Sequence, residues 1–321
     1  MKIVIMPGLT LPEVPEAHLQ RIKEIVGPDG EVIVTRFKEA LPHIVDADVI
    51  LGIINKEMLQ KAKKLQWVHA VASGVDMFMF PEFIASNVIL TGEKGLVGEH
   101  LADHGMGLLL MLTRQLATAL RYGPESWNHR AEMRAQEVEL TGLTMGLVGY
   151  GGTGKAMAKR AAAFGMKCIA VDHSPMPGND EVDVVWSNDH LDELLANADV
   201  VNIGCPLTPD TSNMFNSSTF EKMKSSAFLV NVTRGEIVEE RALIHALQSG
   251  QIRGAALDVV PQEPLPADHP LWQMPNVVMT PHTAGASQFR GLRNLDRFID
   301  NLQSMIDGKE LVGMVDKDLG F

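Results

Sequence analysis

The chain has 321 residues, of which 45% are hydrophobic, so it is long enough for about two domains with large apolar cores. Its formal net charge of −12, from 28 basic and 40 acidic side chains, argues against binding to nucleic acid or to an anionic membrane surface. The start of the chain, MKIVIMPG, is broken too early to be a signal peptide, and no apolar run approaches transmembrane length, so we expect a soluble, cytoplasmic protein.

The first hundred residues predict strands that alternate with helices. Short apolar runs such as KIVIM and ADVILG are separated by segments of helical period such as PEAHLQRIKEIV. This alternation is typical of a parallel sheet with helices on its faces. Residues 105–120 are apolar nearly all round, which predicts a helix buried on most sides at a domain or subunit interface. Residues 123–142 are polar and carry Trp127, and we expect them to leave the globular body.

The alternation of strands and helices resumes at residue 143 and continues to about residue 280, and a last helix is expected over 288–308. In a parallel sheet the carboxyl ends of the strands lie at one edge, and ligands bind outside that edge. We therefore expect one crevice to be lined by the residues at which successive apolar runs end: Gly149, Asp172, Cys205 with Pro206, Arg234, Asp258 and His282. The two cysteines, Cys168 and Cys205, both lie in apolar runs and are expected to be buried free thiols.

The segment GLVGYGGTGKAMAKRAAAFG carries a dinucleotide-binding pattern. Gly149, Gly151 and Gly154 give G-x-G-x-x-G after a strand and at the start of a helix, whose free N–H groups would face a pyrophosphate. Asp172 follows at the end of the next strand, where a carboxylate accepts hydrogen bonds from ribose hydroxyls. No Arg or Lys follows it in HSPMPGND to bind a 2′-phosphate, so the sequence favours NAD over NADP. Further contacts with the cofactor are expected from Tyr150, Gly152, Thr153, Cys205, Pro206, Thr211, Val232, Thr233, Asp258 and His282.

Three charged residues near the expected cofactor are ordinary when taken singly. Arg234 could be a solvated turn residue, Glu263 a loop carboxylate and His282 a strand-end histidine. Together they supply what reduction of a carbonyl beside a nicotinamide requires. A cation polarises the carbonyl, an acid delivers a proton to its oxygen, and a carboxylate orients that acid. The small residues after His282 in TPHTAGAS would leave room for the ring and the substrate.

Residues 143–285 resemble the cofactor domain of the D-isomer-specific 2-hydroxyacid dehydrogenases, the glycerate and formate dehydrogenase group. NVTRGEIVEERAL, GAALDVVPQEPLP and TPHTAG are similar to the family's Arg, Glu and His motifs in order and spacing. LQWVHAVASGVD and GLVGEHLADHGMGLLL are more weakly similar to its substrate loop and hinge helix. The sequence departs from the family at Gly152 and Thr153, where Arg and Ile are frequent, which removes one cation near the pyrophosphate. DVVPQE also lacks the family's usual Phe after DV.

The resemblance implies an α/β protein with two doubly wound parallel-sheet domains, in which a Rossmann cofactor domain is inserted in a flavodoxin-like substrate domain. The substrate domain would comprise residues 1–100 and 286–321, and the NAD-binding domain residues 101–285, with a dimerisation helix and arm that form a homodimer. The resemblance also implies roles for individual residues. Arg234 would bind the substrate's carboxylate and carbonyl oxygen, His282 would be the acid/base with Glu263 hydrogen-bonded to it, and Asp258 would hold the nicotinamide carboxamide. Backbone N–H groups of Ser73, Gly74 and Val75 would bind the substrate carboxylate.

The expected activity is hydride transfer between NAD and a small 2-keto acid such as glyoxylate or hydroxypyruvate. VASGVDMFMF carries no Arg or Lys beside the expected carboxylate loop, which ranks a phosphoglycerate dehydrogenase below an enzyme for unphosphorylated acids. Met77, Phe78, Met79 and Phe80 leave a bulkier apolar 2-keto acid open, unless they pack the core. A non-catalytic NAD-sensing protein on the same scaffold and oxidation of a small one-carbon anion are further alternatives. No metal site is expected.

Overall fold

The structure, a computed structural model, describes all residues 1–321. The chain forms two compact units: unit 1 comprises Met1–Val97 and Ala286–Phe321, and unit 2 comprises Gly98–Gly285. The expected first boundary after residue 100 falls inside a helix, because Gly98 already begins the first helix of unit 2.

Unit 1 contains a five-stranded parallel sheet in the order β2-β1-β3-β4-β5. Its strands are β1 (Lys2–Ile5), β2 (Glu31–Val34), β3 (Val49–Leu51), β4 (Trp67–His69) and β5 (Ile89–Thr91). The helices between them are α1 (Glu16–Val26), α2 (Leu41–Ile44), α3 (Lys56–Lys61) and α4 (Pro81–Ile84). This is the flavodoxin-like strand order, with its switch point between β1 and β3.

Unit 2 contains an eight-stranded sheet in the order β13-β12-β11-β10-β6-β7-β9-β8, in which β8 alone is antiparallel. Its strands are β6 (Thr144–Val148), β7 (Lys167–Val171), β8 (Met176–Pro177), β9 (Val184–Trp186), β10 (Val200–Ile203), β11 (Phe228–Asn231), β12 (Gly254–Leu257) and β13 (Val277–Met279). The chain leaves β6 toward one edge through β7 and β9, and then builds the other half from β10 to β13. The switch point therefore lies between β6 and β10, as in a Rossmann fold, and the predicted fold class is confirmed.

Seven helices accompany this sheet: α5 (Gly98–Thr113), α6 (Leu116–Tyr122), α7 (Arg130–Gln136), α8 (Gly152–Ala163), α9 (Leu191–Asn197), α10 (Ser217–Phe220) and α11 (Glu240–Ser249). The expectation of one helix over 105–120 is wrong, because α5 ends at Thr113 and Gln115 adopts a left-handed conformation with φ of 53°. The expected burial holds for part of this segment only, since Leu116 and Leu120 are exposed. The segment after α6 contains a short helical turn and α7.

A last helix, α12 (Arg290–Ile306), returns the chain to unit 1. Leu295, Phe298 and Leu302 recur at helical spacing and are all fully buried in the core that contains β1, β3 and β4. The ring of Phe298 stacks on Trp67 with 5.1 Å between centroids. The buried apolar face of α12 therefore packs the C-terminal segment against residues 1–97 in the core of unit 1.

The core of unit 1 also holds a histidine. His69 is fully buried at the end of β4, where its Nδ1 lies 2.6 Å from the Thr91 hydroxyl. The Thr91 oxygen accepts the indole N–H of Trp67 at 2.8 Å. Burial lowers the pKa of His69 to about 3, so the folded protein keeps this imidazole neutral well into the acid range.

We expect the free energy of unfolding to fall as the pH drops from 6.5 toward 3, by up to about 1.4 kcal/mol per pH unit from this residue. The imidazole of the unfolded chain binds a proton below its ordinary pKa, whereas the buried ring does not, so acid favours unfolding. Urea unfolding over this range should show a shallower pH dependence for His69→Gln than for the parent. The control His245→Gln, at an exposed histidine of α11, should keep the parental slope, and an unchanged slope in His69→Gln would contradict the prediction.

Candidate active site

The glycine-rich loop joins β6 to α8 at the switch point of unit 2. Gly149 has φ of 97°, and a Cβ there would lie 2.6 Å from the backbone nitrogen of Cys205. A Cβ on Gly154 would lie 2.1 Å from the carbonyl oxygen of Gly149. At Gly151 φ is −75°, and a Cβ would meet no protein atom within 4 Å. Neither backbone strain nor crowding by other protein atoms requires a glycine at position 151. A glycine there suits the close approach of a pyrophosphate to the loop backbone.

We expect Gly151→Thr to weaken NADH binding by about tenfold or more, which corresponds to about 1.4 kcal/mol. The added side chain would occupy the phosphate side of the loop, whereas threonine caps a helix about as well as glycine does. Fluorescence titration with NADH and thermal unfolding measure the two effects. Gly8→Thr is the control, because a Cβ at Gly8 also meets no protein atom within 4 Å. Parental NADH affinity in a folded Gly151→Thr variant would refute the placement of the phosphates.

Asp172 follows β7, and its carboxylate is tied to the glycine-rich loop. Oδ2 accepts the backbone N–H of Tyr150 at 2.7 Å, and Oδ1 accepts that of Ser174 at 3.0 Å. Nδ1 of His173 lies 2.9 Å from Oδ1. The predicted ribose-binding acid is thus fixed beside the loop, with 16% of its side chain exposed.

The side chain of Tyr150 is buried and fastens the glycine-rich loop to the turn before β9. Its hydroxyl accepts a hydrogen bond from Nδ2 of Asn179 at 3.2 Å, and Asn179 in turn accepts the backbone N–H groups of Glu181 and Val182. Burial raises the pKa of Tyr150, partly opposed by the bond to Asn179. Lys155 on α8 places its ammonium 5.8 Å from the centre of the Tyr150 ring.

Two of the predicted cofactor residues use their side chains for packing. Cys205 follows β10 and is buried, and this burial raises the pKa of its thiol to about 12, so it is a neutral packing group. Val232 follows β11 and is 3% exposed, within the same core as α5. Any contact of these two with a ligand would therefore come from the backbone.

Thr211 closes the loop after β10 by donating its hydroxyl to the carbonyl of Pro206 at 2.7 Å.

A short turn after β11 places Arg234. Asn231, which is 1% exposed, accepts the Thr233 N–H at 3.1 Å and donates from Nδ2 to the Arg234 carbonyl at 2.8 Å. The Arg234 guanidinium donates from Nη1 to the Thr233 carbonyl at 2.9 Å. Asn231 was not predicted from the sequence, although an asparagine at a strand end, as in NVTR, is a usual turn-forming residue.

Gly235 lets this turn approach the loop that carries Glu263. A Cβ on Gly235 would lie 2.0 Å from the carbonyl carbon of Val260. The Val260 N–H in turn donates to Oε1 of Glu263 at 3.2 Å. The backbones that bear Arg234 and Glu263 are therefore packed against one another, as the predicted site requires.

His282 and Glu263 form a direct pair. Nδ1 of His282 lies 2.7 Å from Oε2 of Glu263. A carboxylate can only accept, so Nδ1 carries the proton and Nε2, on the far edge of the ring, can give or take a second one. The imidazole is 45% exposed. This arrangement suits an acid/base that meets a ligand through Nε2.

The loop that bears His282 is held by Asp258, which is 2% exposed at the end of β12. The Asp258 carboxylate accepts three hydrogen bonds, from the Thr280 hydroxyl at 2.6 Å and from the N–H groups of Thr283 and Ala284, each at 2.8 Å. Its carbonyl accepts the N–H of His282 at 2.8 Å. His282 itself has φ of 53°, an uncommon value for a residue other than glycine.

Ser73, Gly74 and Val75, the expected carboxylate loop, follow β4 in unit 1. Of the four bulky residues after them, Phe78 is fully buried and Met79 and Phe80 pack against the core of unit 1. Met77 is 51% exposed. The core interpretation of this stretch therefore holds for three of the four side chains, which weakens the case for a large apolar pocket.

Cys168 and Cys205 are both buried free thiols, as expected. No group of three or more His, Cys, Asp or Glu side chains is arranged to hold a metal ion. No helix has both the length and the apolar character needed to cross a membrane.

One family model matches most of unit 2. Residues 106–284 match the family model described as the NAD binding domain of D-isomer specific 2-hydroxyacid dehydrogenases. This range includes Asp172, Arg234, Glu263 and His282.

Two curated relatives and one solved structure cover most of the chain. A glyoxylate reductase of Thermofilum pendens is 34% identical over 95% of this chain and 93% of its own length. A glycerate dehydrogenase of Methylorubrum extorquens is 34% identical over 81% of this chain and 83% of its own length. The crystal structure of the TT0316 protein from Thermus thermophilus superimposes with a TM-score of 0.80 at 32% identity, covering 98% of this chain and 100% of that one.

Proposed function

The chain belongs to the D-isomer-specific 2-hydroxyacid dehydrogenase family, and on this premise we propose that it reduces a small 2-keto acid, such as glyoxylate or hydroxypyruvate, with NADH. The observation that carries the proposal is the pair formed by His282 and Glu263 at 2.7 Å. This pair lies in the same unit as Arg234 and the glycine-rich loop, and all of them follow parallel strands of one sheet.

The three catalytic side chains have different tasks in this proposal. The Arg234 guanidinium binds the substrate carboxylate and polarises the keto group through its oxygen. Nε2 of His282 donates a proton to that oxygen, and Glu263 keeps the ring oriented and stabilises its charged form through Nδ1. The bound nicotinamide supplies the hydride to C2 in reduction and takes it up in oxidation.

The proposed cofactor is NAD. Asp172 is fixed as an acceptor beside the glycine-rich loop, where a carboxylate binds the ribose hydroxyls and repels a 2′-phosphate. We propose that Oδ2 of Asp258, which accepts the Ala284 N–H, also accepts an N–H of the nicotinamide carboxamide. Lys155 near the Tyr150 ring is a cation in the region where the sequence lacks the family's frequent Arg at position 152. We propose that it supplies part of the missing positive charge.

The relatives and the loop after β4 favour a small substrate. A glyoxylate reductase and a glycerate dehydrogenase are among the relatives at 34% identity. Phe78, Met79 and Phe80 pack the core of unit 1 and do not offer a large apolar surface to a ligand. These observations rank glyoxylate and hydroxypyruvate above bulky apolar 2-keto acids.

A homodimer is part of the proposal. α6 and the segment after it expose a set of large apolar side chains, among them Leu116, Leu120 and Trp127, the last of which is 78% exposed. Tyr122 stacks on His129 at 4.1 Å between ring centroids, which gives this segment a defined shape. A second copy of the chain would cover this surface. The two buried free thiols suit the reducing cytoplasm, where we place the protein.

The test is oxidation of NADH and, separately, of NADPH against a panel of 2-keto acids: glyoxylate, hydroxypyruvate, pyruvate, phosphohydroxypyruvate and a branched-chain 2-keto acid. We expect the highest kcat/KM for glyoxylate or hydroxypyruvate with NADH. Tight binding of NADH without turnover of any of these acids would instead support a cofactor-sensing protein. Turnover of formate with NAD, in the absence of keto acid reduction, would support the one-carbon alternative.

A further inference from the structure

A series of hydrogen bonds links α5 to the loop that carries His282, and it uses none of the three predicted catalytic side chains. Nε2 of His104, on α5, lies 2.7 Å from the Thr280 hydroxyl oxygen. That hydroxyl lies 2.6 Å from Oδ1 of Asp258, and His104 Nε2 is itself 3.5 Å from the same oxygen. The carboxylate of Asp258 is almost fully buried, with 1% of its side chain exposed.

The direction of each hydrogen bond follows from the groups themselves. The Asp258 carboxylate can only accept, so the single proton of the Thr280 hydroxyl is donated to it. The Thr280 oxygen can then only accept from the ring, which requires a proton on Nε2 of His104. Both the neutral Nε2–H tautomer and the imidazolium carry that proton, so the series of hydrogen bonds persists in either charge state of His104.

The same carboxylate clamps the backbone on both sides of His282. It accepts from Thr280 two residues before the histidine, and from the N–H groups of Thr283 and Ala284 after it. His282 lies between these contacts with φ of 53°. A residue other than glycine keeps a backbone conformation in this sparsely populated region only where the surrounding contacts hold it there. The Asp258 carboxylate provides that restraint.

We infer that His104 and Thr280 are positioning residues for the acid/base: through Asp258 they fix the loop so that His282 presents Nε2 in one direction. This inference rests on the proposed function of His282, but the clamp itself is a property of the protein without cofactor. The contacts that join these residues to His282 run through the Asp258 carboxylate and the Thr280 backbone, so we expect their effect on turnover to pass through the loop. A displacement of about 1 Å in a catalytic group can cost about a hundredfold in rate.

Two pairs of variants test the inference. Thr280→Val removes the hydroxyl at nearly constant volume, and Thr280→Ser restores it. His104→Leu removes the ring donor, and His104→Gln keeps an N–H that can reach the same oxygen. Thr113→Val is the matched control, because Thr113 is a buried threonine of α5 whose hydroxyl donates to the Leu109 carbonyl at 3.0 Å. Thermal unfolding shows whether the threonine variants lose comparable stability.

We expect Thr280→Val to lower kcat about ten- to a hundredfold while the KM for NADH stays near the parental value. Thr280→Ser should keep most of the parental kcat. His104→Leu should show a smaller loss than Thr280→Val, and His104→Gln should keep more of the parental kcat than His104→Leu does. Thr113→Val should keep the parental kcat. In the cofactor-free protein, amide hydrogen exchange at Thr283 and Ala284 should be faster in Thr280→Val and unchanged in Thr113→Val.

Either of two kinetic results would overturn the inference: parental kcat in Thr280→Val, or a loss in Thr280→Ser as large as in Thr280→Val. Unchanged amide exchange at Thr283 and Ala284 would also overturn it, because that readout does not depend on turnover. If the parent protein reduces none of the 2-keto acids, the proposed function fails, whereas the exchange measurement still decides whether the clamp exists.

Discussion

Replacement of His282 by asparagine is expected to lower kcat for the best 2-keto acid by about a hundredfold to ten-thousandfold, the usual contribution of a positioned general acid. Asparagine is the sharper choice than alanine, because it tolerates the left-handed backbone conformation that His282 adopts with φ of 53°. The loop should therefore keep its shape while Nε2 is lost. Steady-state kinetics with NADH measures the effect, and fluorescence titration should show cofactor affinity close to that of the parent.

The matched control is His245→Asn, because His245 lies exposed on α11 and has no part in the proposed site. It should retain parental kcat and KM. Parental turnover in the His282→Asn variant would show that another group delivers the proton, and the assigned role of the His282–Glu263 pair would then be wrong.

Replacement of Arg234 by glutamine is expected to lower kcat/KM for the 2-keto acid by about a hundredfold to a thousandfold, the range for loss of one preorganised donor to a developing oxyanion. The planar guanidinium can bind a carboxylate and a carbonyl oxygen at once, which neither glutamine nor lysine can reproduce. We expect Arg234→Lys to be impaired as well. Added guanidinium ion should restore part of the activity of Arg234→Gln, since it returns the missing charge to the site.

Arg241→Gln is the control for a loss of one surface cation, because Arg241 is an exposed residue of α11. NADH affinity should stay near the parental value in both variants. A parental kcat/KM in Arg234→Gln would show that Arg234 does not bind the substrate.

Much of this architecture can be predicted from the sequence, because every strand except β8 is parallel to its neighbours and most strands are buried. Continuous apolar runs such as GLVG and FLVNV therefore mark each strand, and the loop residue after a run is placed at the ligand-binding edge by topology alone. The approach of Glu263 to His282, nineteen residues apart, follows from the adjacency of β12 and β13. The strand orders confirm the predicted fold class, and the family model confirms the predicted family.

Other features depend on contacts that no local pattern reveals. His104 reaches Thr280 across 176 residues of sequence, and a histidine in an apolar helix carries no sign of such a partner. The break between α5 and α6 depends on one backbone conformation at Gln115, although the apolar pattern continues through it. The first boundary of unit 2 at Gly98 is set by close packing, since a Cβ there would lie 2.3 Å from the carbonyl oxygen of Gly152.

The most direct test of the account is to follow deuterium from the cofactor to the product. The protein is supplied with NADH deuterated stereospecifically at C4, together with glyoxylate or hydroxypyruvate, and the product is analysed by NMR and mass spectrometry. The account predicts that one of the two C4 epimers delivers one deuterium to C2 of the 2-hydroxy acid, and that hydroxypyruvate gives the D-isomer. A 2-hydroxy acid without deuterium at C2 from either epimer, or no product from any 2-keto acid, would contradict it.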